Sequence, residues 1–178
     1  MEIIEVRDKQ FELFISEEVV LKEIQRVADE LTNDFKGKEP LFICVLNGAF
    51  MFASDLIKQL DFPCEITFVR LKSYQGTHTD GQVKKIQGLL EPVAGRNVVI
   101  IEDIIDTGHT IAGLLRDISK ESPASLKIAT LLFKPDALQT DVAPDYVAIE
   151  IPPDFIVGYG MDYIGHGRNL RAIYKIKK

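Results

Sequence analysis

Apolar and polar positions follow two rhythms along this chain, and each change of rhythm marks an element. After Ser16-Glu17-Glu18, residues Val20, Ile24, Val27 and Leu31 recur three or four places apart, the spacing of one helix face. Ser16 suits the N-cap, and the two acids suit a first turn where the helix dipole is positive. Gly37 and Pro40 close that unit. "LFICVL" (41–46) is then apolar without a break, as in a strand covered on both faces. Asn47-Gly48 interrupts it, and "AFMFASDLIKQL" (49–60) returns to helical spacing. "EITFVRL" (65–71), "NVVII" (97–101), "LKIATLLF" (126–133), "YVAIEI" (146–151) and "RAIYKI" (171–176) are further strands, and Ile111, Leu114, Leu115 and Ile118 form a helical stripe after the second of them.

Residues 72–90, "KSYQGTHTDGQVKKIQGLL", keep neither rhythm. The stretch is longer than an ordinary connection, so it reads as a functional lid or a disordered segment. The remaining order of strands and helices predicts an α/β fold, a mostly parallel sheet flanked by helices. Ligands of such sheets bind beyond the carboxyl ends of the strands. Those ends carry Asn47-Gly48, Lys72-Ser73, Glu102-Asp103 and Lys134, which are therefore expected to converge.

Composition narrows the picture. The chain has 178 residues, 46% hydrophobic and 27% charged, and one domain spanning 1–178 is the simplest reading. A net charge of -6 opposes non-specific nucleic-acid binding, which needs a positive face. Cys44 and Cys64 lie inside apolar segments with no C-x-x-C pair, as buried thiols of a reducing compartment do. The charged start "MEIIEVRDKQ" has no apolar core of signal-peptide length, and no run reaches the roughly 18 apolar residues of a membrane span. A cytoplasmic protein without membrane contact is expected.

The chemistry concentrates in "VVIIEDIIDTGHTIAGLL" (98–115). With "NVVII" as a buried strand, its loop holds Glu102, Asp103, Asp106, Thr107, Gly108, His109 and Thr110. Helix amides from about Gly108 onward point into the loop and make an anion seat. Thr107 and Thr110 add hydroxyls, and Gly108 permits close backbone approach. The acids suit vicinal sugar hydroxyls or a hard cation such as Mg²⁺. A phosphorylated sugar has both an anionic and a hydroxylated end. The plainer reading makes Asp106 and Thr107 helix caps and leaves the other acids solvated. The chain has no G-x-x-x-x-G-K-[ST], and Gly158-Tyr159-Gly160 lacks the third glycine of a dinucleotide fingerprint.

"VVIIEDIIDTGHT" closely resembles the phosphoribosyl-diphosphate loop of the type I phosphoribosyltransferases, and within them the hypoxanthine-guanine branch. "VLNGAFMFASDL" (45–56) resembles that branch's pyrophosphate loop, and "RLKSYQGT" (70–77) the start of its mobile loop. "FKPDALQTDVAPDYVAIEIPPDFIVGYGMDY" (133–163) resembles its base-binding segment. The resemblance covers roughly residues 40 to 175 in the same order. It implies the type I fold with a small hood built from terminal segments. It also implies purine salvage: Mg²⁺-dependent transfer of phosphoribosyl from phosphoribosyl diphosphate to N9 of hypoxanthine or guanine.

Site residues follow from the match. Glu102 and Asp103 would take the ribose hydroxyls, directly or through Mg²⁺. Ile105, Asp106, Thr107, Gly108, His109 and Thr110 would cradle the 5′-phosphate, with Asp106 also the catalytic acid/base near purine N7. Lys134 would donate to the 6-oxo group, Phe155 would stack on the base, and Ile156 and Asp162 would offer carbonyls to its 2-position edge. The Asp162 side chain matches a pyrophosphate-side Mg²⁺ position, and Arg168 would reach the pyrophosphate. Leu46, Asn47 and Gly48 would present backbone amides to pyrophosphate, across a cis bond expected at Leu46–Asn47. Ser73 and Tyr74, on a lid over 72–90, would touch it in the closed state.

The chain departs from many relatives at Asn47, where they carry lysine, and at His109, where some do. His78 and His166 lack metal-ligand spacing and read as loop residues. Relatives form dimers and tetramers, so a homo-oligomer is expected. Two alternatives remain beside the leading one: the same chemistry on xanthine, and a nucleotide-sensing RNA-binding regulator of the same fold.

Overall fold

The computed structural model of the chain describes residues 2–72, 85–87 and 89–177. Helix α1 (Glu17–Phe35) begins where the pattern places it, with the Ser16 side chain accepting a hydrogen bond from the Val19 amide. Val20, Ile24, Val27, Ala28, Leu31 and Phe35 are buried along one face. Each large apolar side chain there is worth roughly 1.5–3 kcal/mol, against about 1 kcal/mol for the cap. The stripe therefore decides the helix, and the cap decides where it starts.

A six-stranded sheet forms the centre, built from β3 (Leu41–Leu46), β4 (Glu65–Lys72), β5 (Lys85–Gln87), β6 (Asn97–Ile105), β7 (Ser125–Phe133) and β8 (Tyr146–Glu150), in the order β5-β4-β3-β6-β7-β8. Every neighbouring pair is parallel except β4 and β5. Helices α1 and α2 (Phe50–Lys58) cover one face, with Phe42, Cys44, Val99 and Ile101 beneath them. Helix α3 (His109–Ser119) belongs to the other core, packing Ile111, Leu114 and Ile118 with Ile43, Val45, Val98 and Ile100. Strand β3 and the Val98–Ile101 stretch of β6 are greasy throughout because both of their faces are buried.

A second sheet of four antiparallel strands runs β1 (Ile3–Val6), β2 (Lys9–Ile15), β10 (Ile173–Ile176) and β9 (Ile156–Val157). It is the hood made of terminal segments. Val6, Phe11, Val157 and Tyr174 form its own core, while Ile15, Ile156, Tyr159, Met161 and Ile173 join the main core beneath α1 and α2.

Three boundaries differ from the pattern. Strand β6 continues to Ile105, because its ladder with β7 persists through Ile104↔Leu132 and Ile105↔Phe133. Glu102 and Asp103 thus sit on the strand and not in the loop. A strand, β5, lies inside the 72–90 stretch read as irregular. Three residues are too few to show a period, and their pairing comes from the free edge of β4. The hairpin β1–β2, too, was not legible in the apolar pattern.

Candidate active site

The carboxyl ends of β3, β6 and β7 open on one side of the main sheet, under the hood segment 155–162. After β6 the chain turns through Asp106, Thr107 and Gly108 into α3. Gly108 is the N-cap, in the left-handed region at φ 84, and no side chain caps the helix. The plainer reading, in which Asp106 and Thr107 serve as caps, is not borne out at the N-cap, and the first-turn amides point toward the loop. A Cβ at Gly108 would lie 2.2 Å from Thr140 Oγ1, so both the turn and its neighbour require glycine. A cavity of about 220 Å³ is lined by residues 102–108 with Thr110 and Ile111.

Beside it lies a cavity of about 230 Å³, lined by Asp103, Ile104, Asp106, Lys134, Phe155, Ile156, Met161 and Asp162. Asp103, Ile104 and Asp106 belong to both walls. Lys134 follows β7, is buried at 6% exposure, and donates from Nζ to Asp106 Oδ2 at 2.8 Å. Phe155 remains 46% exposed at the cavity mouth. Tyr163 meets it edge-on at 5.8 Å between ring centres, and Phe11 supports it at 6.3 Å.

The third wall comes from β3. The peptide Leu46–Asn47 is cis, as expected from the resemblance. Gly48 lies directly under Asp103: a Cβ there would be 1.6 Å from Asp103 Oδ2. Gly160 packs on the other side, where a Cβ would be 2.0 Å from the Gly48 carbonyl oxygen. Arg168 donates from Nη1 to the Gly160 carbonyl at 2.7 Å and pairs through Nη2 with Asp162 Oδ1 at 2.6 Å. Asp162 Oδ2 accepts from the Gly165 amide.

Electrostatics at this junction are strained by burial. Glu102 is 7% exposed. Burial pushes the Asp103 carboxyl above its ordinary range. Hydrogen bonding with Glu102, the Ile104 and Asp103 amides, and the charge of Arg168 pull the other way. Burial, with Glu102 and Asp103 nearby, also drives the Cys44 thiol up to about 12, which makes it inert. Among the described residues no group of three or more His, Cys, Asp or Glu is arranged to hold a metal by itself. Glu102 and Asp103 form one oxygen-donor set and Asp162 another. Such sparse carboxylates suit Mg²⁺, which takes one or two of them and completes its shell with phosphate oxygens and water.

Of the expected site residues, Glu102, Asp103, Ile105, Asp106, Thr107, Gly108 and Thr110 line the first cavity, and Lys134, Phe155, Ile156 and Asp162 the second. Gly48 abuts Asp103, and Arg168 holds Asp162. His109 turns its ring to Gln139, 3.2 Å away, consistent with its backbone being what matters to the loop. Ser73, Tyr74 and His78 lie outside the described residues, as does most of the expected lid.

Several contributors escaped the sequence reading. Met161 and Ile104 line the second cavity. Gln139 donates its amide to the Thr107 carbonyl at 3.0 Å, bracing the turn from behind. Tyr159, 1% exposed, bonds through its hydroxyl to Asp55 on α2 and so ties the hood to the helix after Asn47-Gly48. Only the glycines flanking Tyr159 signalled it.

Comparison with known proteins agrees with this geometry. The family model described as phosphoribosyl transferase domain matches residues 16–164. A hypoxanthine-guanine phosphoribosyltransferase of Streptococcus thermophilus is 43% identical over 168 residues, covering 93% of this chain and 92% of that protein. The protein of that name from Bacillus subtilis is 42% identical over 166 residues, with 93% and 92% covered. Among solved structures, a hypoxanthine-guanine phosphoribosyltransferase of Bacillus anthracis with HEPES in its active site has a TM-score of 0.83 at 36% identity, covering 94% of this chain and 97% of its own. A hypoxanthine phosphoribosyl transferase of Trypanosoma cruzi reaches 0.86 at 32% identity, with 98% and 95% covered.

Proposed function

This chain belongs to the phosphoribosyltransferase family, in its hypoxanthine-guanine branch, and is a purine phosphoribosyltransferase; from that premise we propose that it moves the 5-phosphoribosyl group of 5-phosphoribosyl 1-diphosphate to N9 of hypoxanthine or guanine. The products are IMP or GMP and pyrophosphate, and the role is purine salvage.

The observation that carries the reading is the Lys134–Asp106 pair at 2.8 Å, in which Lys134 lines the second cavity and Asp106 stands on the wall it shares with the first. A 6-oxopurine presents its oxo group and N7 side by side. An ammonium has three donors, so Lys134 serves the oxo group while it still holds Asp106. Asp106 then faces N7 and takes the proton released as N9 bonds to C1′ and the C1′–diphosphate bond breaks. Adenine offers a donor where the oxo group stands, which leaves Lys134 opposed. Phe155 stacks on the ring, and its exposed face with Tyr163 behind supports that role. The carbonyls of Ile156 and Asp162 take the 2-position edge.

At the other end, Ile105, Asp106, Thr107, Gly108, His109 and Thr110 hold the 5′-phosphate on uncapped helix amides. Glu102 and Asp103 hold the ribose hydroxyls. Leu46, Asn47, Gly48, Ser73, Tyr74 and Arg168 meet the pyrophosphate. Glu102 and Asp103, and separately Asp162, would hold Mg²⁺, which would supply neutralisation of the leaving group. The chain's own contribution is positioning and electrostatics around a sugar that gains positive charge.

A homodimer or homotetramer in the cytoplasm completes the reading. Ile66 and Phe68, both exposed on one face of β4, support self-association, and the free Cys44 and Cys64 suit a reducing compartment. The test is a turnover screen with the activated sugar, Mg²⁺ and each of hypoxanthine, guanine, xanthine and adenine. Pyrophosphate release with the first two and none with adenine is the expected result. Silence with both 6-oxopurines ends the proposal, and turnover of xanthine alone moves it to another base.

A further inference from the structure

The charges around the diphosphate end do not balance. Four carboxylates line the two cavities beside it: Glu102, Asp103, Asp106 and Asp162. Lys134 is matched to Asp106 at 2.8 Å and Arg168 to Asp162 at 2.6 Å. A diphosphate brings several more negative charges. The loop at Asn47-Gly48 offers it backbone amides and no cationic side chain of its own.

Arg70 stands beside that loop. It is paired with Leu46 at the last rung of the β3·β4 ladder, so both side chains leave the sheet at its carboxyl edge. Its Nη2 donates to Asn47 Oδ1 at 2.7 Å. Among the described residues no carboxylate forms an ion pair with Arg70, and its side chain lies at the surface. The neutral amide orients the guanidinium without cancelling its charge. One edge of the fork is engaged, and the remaining N–H groups are available to an anion.

We propose that Arg70, steered by Asn47, is a pyrophosphate-binding residue that supplies the positive charge the Asn47-Gly48 loop lacks. The inference rests on the reading of this site as a diphosphate-releasing one. It also explains how the chain accommodates asparagine at position 47: a lysine there would set two cations side by side, whereas the amide oxygen holds the guanidinium in place. Arg70 would bind ground-state diphosphate and the leaving group alike, so its removal should weaken binding of both the activated sugar and pyrophosphate.

The experiment is calorimetric titration of the full chain with inorganic pyrophosphate in excess Mg²⁺, and separately with GMP, which lacks the diphosphate. In Arg70→Gln, pyrophosphate affinity should fall about tenfold or more, the scale of one charge-assisted hydrogen bond. GMP affinity should stay unchanged, which also reports that the variant is folded. Arg70→Lys keeps the charge without the fork and should fall between the two. The double variant Asn47→Lys, Arg70→Gln should recover most of the lost affinity. Wild-type pyrophosphate affinity in Arg70→Gln overturns the assignment, and so does an equal loss for both ligands, which would make Arg70 merely structural. Failure of the underlying functional reading looks different, since the unaltered chain would then bind neither ligand.

Discussion

The two ends of the proposed site, one read as seating the sugar phosphate and the other the purine, are built in opposite ways. The phosphate end is nine consecutive residues, Glu102 to Thr110, running from a buried strand through a left-handed glycine into an uncapped helix. The purine end collects Lys134 after β7, Phe155 and Ile156 around β9, and Asp162 from the loop that Arg168 secures. The first end inherits its shape from one stretch of backbone. The second exists only when the hood closes on the main sheet, with Gly160 against the Gly48 carbonyl and Tyr159 bonded to Asp55. A contiguous site is robust to remote change, and an assembled one depends on every contact that sets its parts.

The hardest test of this contrast is at the residue both ends share. Asp106→Asn should leave sugar-phosphate binding nearly intact while turnover falls about 10²-fold or more, within the usual range for an acid/base group. Turnover at the unaltered rate would remove Asp106 from the chemistry. Next comes the purine end alone. Lys134→Gln should narrow the preference for 6-oxo over 6-amino purines by about tenfold or more, measured as a ratio of kcat/KM values, without changing the KM of the activated sugar. A preserved ratio would move base recognition to other residues.

The smallest effect concerns the anchoring of the hood. Burial and Asp55 raise the Tyr159 hydroxyl above its ordinary range, and burial and Asp34 do the same for Tyr146 beneath α1. Both remain protonated in the folded chain where an unfolded tyrosine ionises. Their contribution to stability is therefore full below pH about 10 and is lost as pH rises past it. Denaturant unfolding across that range should show stability declining with pH, less steeply in Tyr159→Phe, Tyr146→Phe. Identical slopes would detach the two hydroxyls from the folding equilibrium.

Legibility followed the same division. β3, α1, β7 and the turn into α3 were readable because each is dictated by apolar period or by a residue with special backbone freedom. The end of β6 was not, since Glu102 and Asp103 look like loop residues until the β7 ladder carries them onto a strand. β5 was invisible for want of length. The Lys134–Asp106 pair joins residues that no local pattern connects, and Tyr159 offered only its flanking glycines as a signal.

What the chain determines by itself is the α/β order and the turn after β6 into α3 proposed to seat an anion, because amide direction, glycine conformation and burial period act over a few residues. What only the tertiary structure decided is which charges neutralise one another. Lys134 takes Asp106, Arg168 takes Asp162 and Arg70 is left to Asn47, because ion pairing depends on distances of a few ångströms that arise only when distant strands are laid side by side.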